Sequence, residues 1–365
     1  MAAQRVQWID ITKGFAIFCL LMVHSCPPPP KTSDFRWLYI PSFLMPLFFW
    51  ISGYVFGLKR QPGFVEFTKK RVKSLLVPYV LFFVILYAYS ALHALARSKW
   101  SHQGAEWSFI TPLWGFVYSS SDTLLRVHMP LWFLTCLFLI ELSFYWIVRL
   151  VKRQYQLLLI LLACAVVCWV ISGPSSPLKI PVLPWGTNRL PWGTDVAFAA
   201  IVFYGLGYLL RVNEHWLVPK NVTAKAAVMI GAIGVGFLFS WLNGWINFPT
   251  MRFNRSHLLV YAGAISGITG YVMFCQLIPA SRALLYLGKN TLTIMAFNFV
   301  GLDVLRVFVS RVVNVEFGQA DQSIFWGIIY AAGCVLVSIP AIYLINNHFP
   351  FVLGKRKQKL TGVGA

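Results

Sequence analysis

The first apolar segment of this 365-residue chain carries the side chains best suited to chemistry. It reads Trp8-Ile9-Asp10-Ile11-Thr12-Lys13-Gly14 and closes on His24-Ser25. At about 100° per residue, Lys13 and His24 project within about 20° of each other, and Asp10 falls within about 40° of His24. One helical stripe therefore holds Asp10, Lys13, Gly14 and His24. At about 1.5 Å rise per residue, His24 lies about 21 Å along the axis from Asp10. An imidazole is the side chain best suited to general-base work near neutral pH. A salt-bridged cap with a satisfied interior histidine is the plainer account of these residues. A polar stripe running the depth of the helix favours a pathway or a site. Charges in later apolar runs ask for a reason too, since each costs roughly 2.5–3.5 kcal/mol on insertion. Asp303 and Arg306, three apart, can pair on one helix face. Glu141 has no local partner, so it meets one on another helix or is protonated. The run Lys69-Lys70-Arg71-Val72-Lys73-Ser74 suits phosphate, although membrane topology alone accounts for its charge.

The elements that must position these groups are transmembrane helices. Hydrophobic residues make up 58% of the chain and charged residues 12%, with mean hydropathy +0.68. A soluble domain carries about a quarter charged residues. Continuous apolar runs of about 20 residues span a bilayer as helices, whereas a β-barrel would alternate. Ten spans are expected, near 8–26, 39–58, 75–96, 129–150, 156–173, 194–212, 226–244, 257–278, 290–312 and 323–346. The first run carries Asp10, Lys13 and His24 with no cleavage site after it, so it reads as a retained span. The fold expected is an all-α polytopic bundle, with one transmembrane unit over 5–350 and a basic tail over 351–365. The seven cysteines sit in or beside apolar segments with no CxxC pair, and read as small hydrophobic residues rather than metal ligands or disulfides.

A net charge of +20 invites a nucleic-acid reading, but its placement excludes one. Most lysines and arginines fall in short loops on the face that holds both termini, including Arg5, Lys59, Arg60 and the Lys355–Lys359 cluster. Both termini are therefore expected to be cytoplasmic. The outer segments include Pro27–Pro30, a stretch from Arg97 to Arg126, and Gly173 to Gly193. Tryptophans 100, 107, 114, 185 and 192 there fit an interfacial belt, or surfaces that stack on sugar rings.

Five segments in order resemble the acyltransferase family 3 membrane proteins, bacterial O-acyltransferases acting on surface glycans. They are the Asp10/Lys13-Gly14/His24 segment, Met45-Pro46-Leu47-Phe48-Phe49-Trp50-Ile51-Ser52-Gly53-Tyr54, Lys70-Arg71-Val72-Lys73-Ser74-Leu75-Leu76-Val77-Pro78-Tyr79, Leu131-Trp132-Phe133-Leu134, and Leu287-Gly288-Lys289-Asn290-Thr291-Leu292. The resemblance covers about 5 to 350. Two departures stand out. The family has two arginines three apart, where this chain has Arg71 and then Ser74 with Lys73 beside it. Many relatives carry a histidine in the late span where this chain has Asn298, which argues against a catalytic role there.

The resemblance implies an acyl-CoA donor, usually acetyl-CoA, on the cytoplasmic side, with no bound cofactor or metal. The acceptor it implies is a hydroxyl of a surface or lipid-linked glycan, in the bacterial inner membrane among its lipids, with no nucleic-acid partner. It makes His24 the base or transient acyl carrier, with Asp10 and Lys13 organising the donor end. Arg71, with Lys70 or Lys73, would bind donor phosphates. Ser52 and Gly53 would let helices approach closely and shape a tunnel, lined by Trp132 and, toward the acceptor, by Glu141 and Asn290. A transporter or flippase would also explain interior charges and ten spans, but repeated halves are not evident. A polysaccharide polymerase or ligase would need a larger outer loop. Oligomeric state and acceptor identity are not legible.

Overall fold

The computed structural model describes residues 7–25, 35–57, 61–100, 110–120, 123–124, 127–172, 188–313 and 324–355. Arg5, Cys26, Pro27–Pro30, Lys59, Arg60, residues 101–109 with Trp107, residues 173–187 with Trp185, and the tail after Lys355 lie outside the described residues.

Ten helices are long and apolar enough to cross a membrane. They are α1 Gln7–Ser25, α2 Ile40–Gly57, α3 Phe64–Ala94, α4 Met129–Leu150, α5 Gln154–Ile171, α6 Pro191–Val212, α7 Val222–Asn243, α8 His257–Leu277, α9 Thr291–Val312 and α10 Ile324–Asn347. These match the expected spans within a few residues, except at α3. Among the described residues the one β feature is an isolated bridge, Asn247 to Arg252, in the turn before α8. Caps sit where the sequence places them. Asn221 accepts the Ala224 N–H at 2.6 Å to start α7, and Gln156 accepts the Arg153 N–H at 3.1 Å to start α5.

Burial separates core from periphery. Within the spanning windows, 72% of α2 is buried but only 17% of α5 and 6% of α7. The outward faces of those two carry Leu159, Leu162, Trp169, Ile230, Leu238 and Trp241. In water such a surface would aggregate, whereas in a bilayer it is the solvent contact. At the centre, α1 packs against α2, α8, α9, α10 and the short helix Arg282–Lys289.

Two contacts in this core are backbone on backbone. On α2, a Cβ added at Gly53 would lie 1.8 Å from the Tyr204 carbonyl oxygen of α6. On α6, one at Gly207 would lie 2.0 Å from that of Trp50. Likewise a Cβ on Gly14 of α1 would meet the Leu284 oxygen at 2.1 Å, and one on Gly288 the Asp10 oxygen at 1.9 Å. Only glycine permits such approach, which is how membrane helices gain van der Waals contact without a hydrophobic driving force. The opening segment and the Gly288-Lys289-Asn290 segment, far apart in the chain, are thus locked face to face.

The basic segment expected as a loop before the third span is helical instead. The helix begins at Phe64, after Gly63, and Lys69, Lys70 and Arg71 fill the last turn before a π turn over Val72–Leu76. Glu66 and Lys70 pair across that helix at 2.7 Å, an i,i+4 contact that the loop reading ignored. A π turn inserts one residue into the helical repeat and is frequent at functional sites. The segment Pro350–Leu353 packs on the helix that continues from it, and Gly354 (φ +64°) comes so close to the turn that a Cβ would sit 1.8 Å from the Lys73 oxygen.

Candidate active site

His24 ends the polar stripe of α1. Its Nδ1 lies 2.9 Å from Asn298 Nδ2 on α9, and its ring stacks on Phe299 with centroids 5.0 Å apart and planes 15° apart. Asn298 is fully buried. The pair of nitrogens admits two arrangements, because an asparagine amide can be turned. With Nδ2 donating, Nδ1 accepts and Nε2 carries the proton. That leaves Asn298 Oδ1 buried without a hydrogen-bond partner among the described residues. With the amide turned, Oδ1 accepts from Nδ1–H, and Nε2 keeps the lone pair a base needs.

The histidine opens on a cavity of about 400 Å³. Its walls are mostly apolar, with the aromatic rings of Trp37, Trp132, Trp245 and Phe248 prominent, and Asn247 and Thr250 supply polar edges. A few polar groups in an apolar chamber of this size are the usual composition of a small-molecule site.

The other end of α1 is the donor end expected from sequence. Asp10 is buried and Lys13 half-buried. Trp8 packs edge-on against Tyr54 at 5.1 Å, so the end of α2 lies beside the start of α1. α3 begins just after that point, which brings the basic helix to the Asp10 end rather than the His24 end.

Arg71 and Glu141 form an ion pair, Nε to Oε2, at 2.6 Å. Glu141 thus has its partner on another helix. Its side chain is 5% exposed and that of Arg71 25%, so the guanidinium joins a buried carboxylate to the rim of the bundle. Arg71 also lies over the Phe67 ring at 4.9 Å. Lys70 and Lys73 are exposed beside it.

A family model described as an acyltransferase domain matches residues 6–346. The chain belongs to acyltransferase family 3. Comparison with curated proteins and with solved structures found no match.

In this membrane acyltransferase the candidate residues gather in three places. His24 and Trp132 share the aromatic chamber. Arg71 and Glu141 pair, with Lys70 and Lys73 nearby on the same helical run. Asp10 and Gly14 dock on the short helix, which Asn290 ends. There Asn290 donates to the Tyr286 carbonyl at 2.9 Å and accepts from Asn346 of α10 at 2.8 Å. It ties two helices together rather than lining the chamber. Ser52 turns its hydroxyl onto the Phe48 carbonyl at 2.8 Å, and Gly53 forms the α2–α6 contact, so these two shape packing.

Sequence reasoning missed Trp37, Trp245 and Thr250, which sit in connecting segments without a motif. It also set Asn298 aside, although Asn298 is the group that holds His24. Among the described residues, no group of three or more His, Cys, Asp or Glu could hold a metal ion. Of the seven cysteines, six are described, all as free thiols.

Proposed function

We infer that this acyltransferase moves an acyl group, acetyl in the simplest case, from CoA to a hydroxyl of a cell-surface or lipid-linked glycan. The carrying observation is His24, held by Asn298 and Phe299 in the wall of a tryptophan-lined chamber. Tryptophan faces suit sugar rings, and an oriented imidazole suits a hydroxyl. In this reading His24 Nε2 takes the proton of the acceptor hydroxyl as its oxygen attacks the thioester carbonyl. The carbon–sulfur bond breaks, and the CoA thiolate leaves with the proton returned by the imidazolium. An alternative order passes the acyl group through the imidazole nitrogen before the hydroxyl attacks.

The donor enters at the Asp10 end. Lys70 and Lys73 are exposed cations there, and Arg71 is held by Glu141 with part of its guanidinium still at the rim. CoA phosphates would meet these groups, and its flexible arm would run inward toward His24. The positive charge of the loops supports a cytoplasmic placement of this end, and the family resemblance supports a bacterial inner membrane.

The direct test is His24→Ala at wild-type membrane levels, with labelled acetyl-CoA and the native glycan. Losing a general base costs about 10²–10⁴-fold in rate, so label transfer is expected to fall by that much. Undiminished transfer overturns the assignment, and glycan uptake without CoA turnover would make the protein a transporter.

A further inference from the structure

The chamber wall facing His24 includes the turn Asn247–Thr250. What holds that turn is a buried charge outside the chamber. Arg189 is 7% exposed and Asp195, in the first turn of α6, 1%. Their side chains pair at 3.0 Å, Nη2 to Oδ2. The guanidinium then donates to two backbone carbonyls of the wall, Nη1 to Thr250 at 3.1 Å and Nη2 to Pro249 at 3.2 Å. Asp195 accepts the Val196 N–H at 3.0 Å. The Tyr118 hydroxyl donates to the Arg189 carbonyl, which fixes the clamp from behind.

The residues between the two charges press on a second wall. Trp192 and Gly193 both adopt left-handed backbone, φ +59° and +64°. For tryptophan that conformation is strained, and strain of this kind persists only where the surroundings impose it. The Trp192 indole N–H donates to the Val117 carbonyl at 3.0 Å. A Cβ on Gly193 would lie 3.8 Å from the ring of Trp132, so the turn seats behind the tryptophan that lines the chamber.

Stability alone does not account for this arrangement. A buried ion pair can often be replaced by apolar residues of similar volume with no loss of stability. A well-packed apolar pair would not, however, grip two carbonyls of one turn. We propose that Arg189 and Asp195 are positioning residues, which set the spacing between the Asn247–Thr250 turn and Trp132 and so govern acceptor seating without touching either substrate. The proposal rests on the glycan-acyltransferase reading above. Its effect falls on the acceptor and spares the donor, whose expected contacts lie at the other end of α1.

The informative variant is Arg189→Met with Asp195→Leu, which removes both charges together and so leaves no unpaired charge in the core, while it frees the Pro249 and Thr250 carbonyls. Hydrogen exchange on the full-length protein in lipid nanodiscs should show residues 247–252 exchanging at least about tenfold faster, while α1 and α8 keep wild-type rates. Unchanged exchange at 247–252, or an even rise across the bundle, overturns the clamp. In membranes holding the native acceptor, with labelled acetyl-CoA as probe, transfer should fall about tenfold or more. The half-saturating acetyl-CoA concentration should stay within about twofold, and Arg189→Lys should recover part of the rate. A parallel rise in that concentration overturns the acceptor-specific role. If His24→Ala still transfers label, the reading of the reaction fails, whereas the exchange pattern judges the clamp by itself.

Discussion

A histidine serves as a base only when one ring nitrogen is held and the other is presented. His24 meets the first condition through Asn298 and the Phe299 stack. Asn298→Ala removes that hold. An orienting hydrogen bond worth about 1.5–3 kcal/mol in the transition state corresponds to about 10–100-fold in rate. Transfer from labelled acetyl-CoA, at equal membrane levels, should drop by that factor, while a residue with no catalytic part would leave it unchanged. The ion pairs give a second contrast. Glu141 is buried against Arg71, and Lys70 is exposed against Glu66. Removing one partner of a buried pair costs about 3–5 kcal/mol, to be discounted here because Arg71 reaches solvent, whereas an exposed pair contributes about 1 kcal/mol or less. Glu141→Ala should therefore lower the thermal midpoint in detergent clearly, and Lys70→Ala hardly at all. His24 was legible because a polar stripe in an apolar helix stands out within a single segment. The partners Asn298 and Arg71 were not, since each contact joins residues far apart in sequence and no local spacing reports it.

Helices in this bundle meet through glycine, and that yields a prediction at the scale of elements. At Gly53 and Gly288 a methyl group would strike a backbone oxygen at 1.8 and 1.9 Å. Relief requires moving a helix, and overpacking of this kind costs typically about 1–3 kcal/mol or more. Gly231 and Gly234, both on α7, have nothing within 4 Å of an added Cβ. Alanine there gains about 0.5–1 kcal/mol of helix preference. Thermal midpoints should fall for Gly53→Ala and Gly288→Ala and stay level or rise for Gly231→Ala and Gly234→Ala. Equal behaviour of the two sets would contradict the packing. The spans themselves were legible because apolar length alone defines them. The start of α3 was not, because Phe64–Arg71 is too polar to register as a span and is carried into helix by continuity with the apolar run after it.

Seen whole, the molecule is a lipid-embedded bundle with a chemical chamber at one end of its central helix and basic residues at the other. Beside the first turn of α4 it buries His128 completely against Phe83 at 4.7 Å, with neither ring nitrogen hydrogen-bonded among the described residues. Burial lowers its pKa from 6.5 to about 4. An unfolded ring takes up a proton near 6.5 and the folded one only near 4, so the folded state binds fewer protons between them. Stability is full above about pH 6.5 and falls by about 1.4 kcal/mol per unit as pH drops toward 4. His128→Leu should flatten that acid limb, read as thermal midpoints in detergent at pH 7 and pH 5. An unchanged limb would remove His128 from the account. At this scale the ten-helix layout could be read from composition, whereas the aromatic chamber could not, since its walls come from four separate spans and from the segments before α2 and between α7 and α8.

The central claim is that His24 carries acyl transfer between a CoA donor at the basic end and an acceptor in the chamber. Inverted membrane vesicles, with labelled acetyl-CoA supplied only to the cytoplasmic face, put that claim to its shortest test. Wild-type protein should label the glycan fraction, and His24→Ala at equal abundance should label it about 10²–10⁴-fold more slowly. Equal labelling by the two proteins would contradict the account.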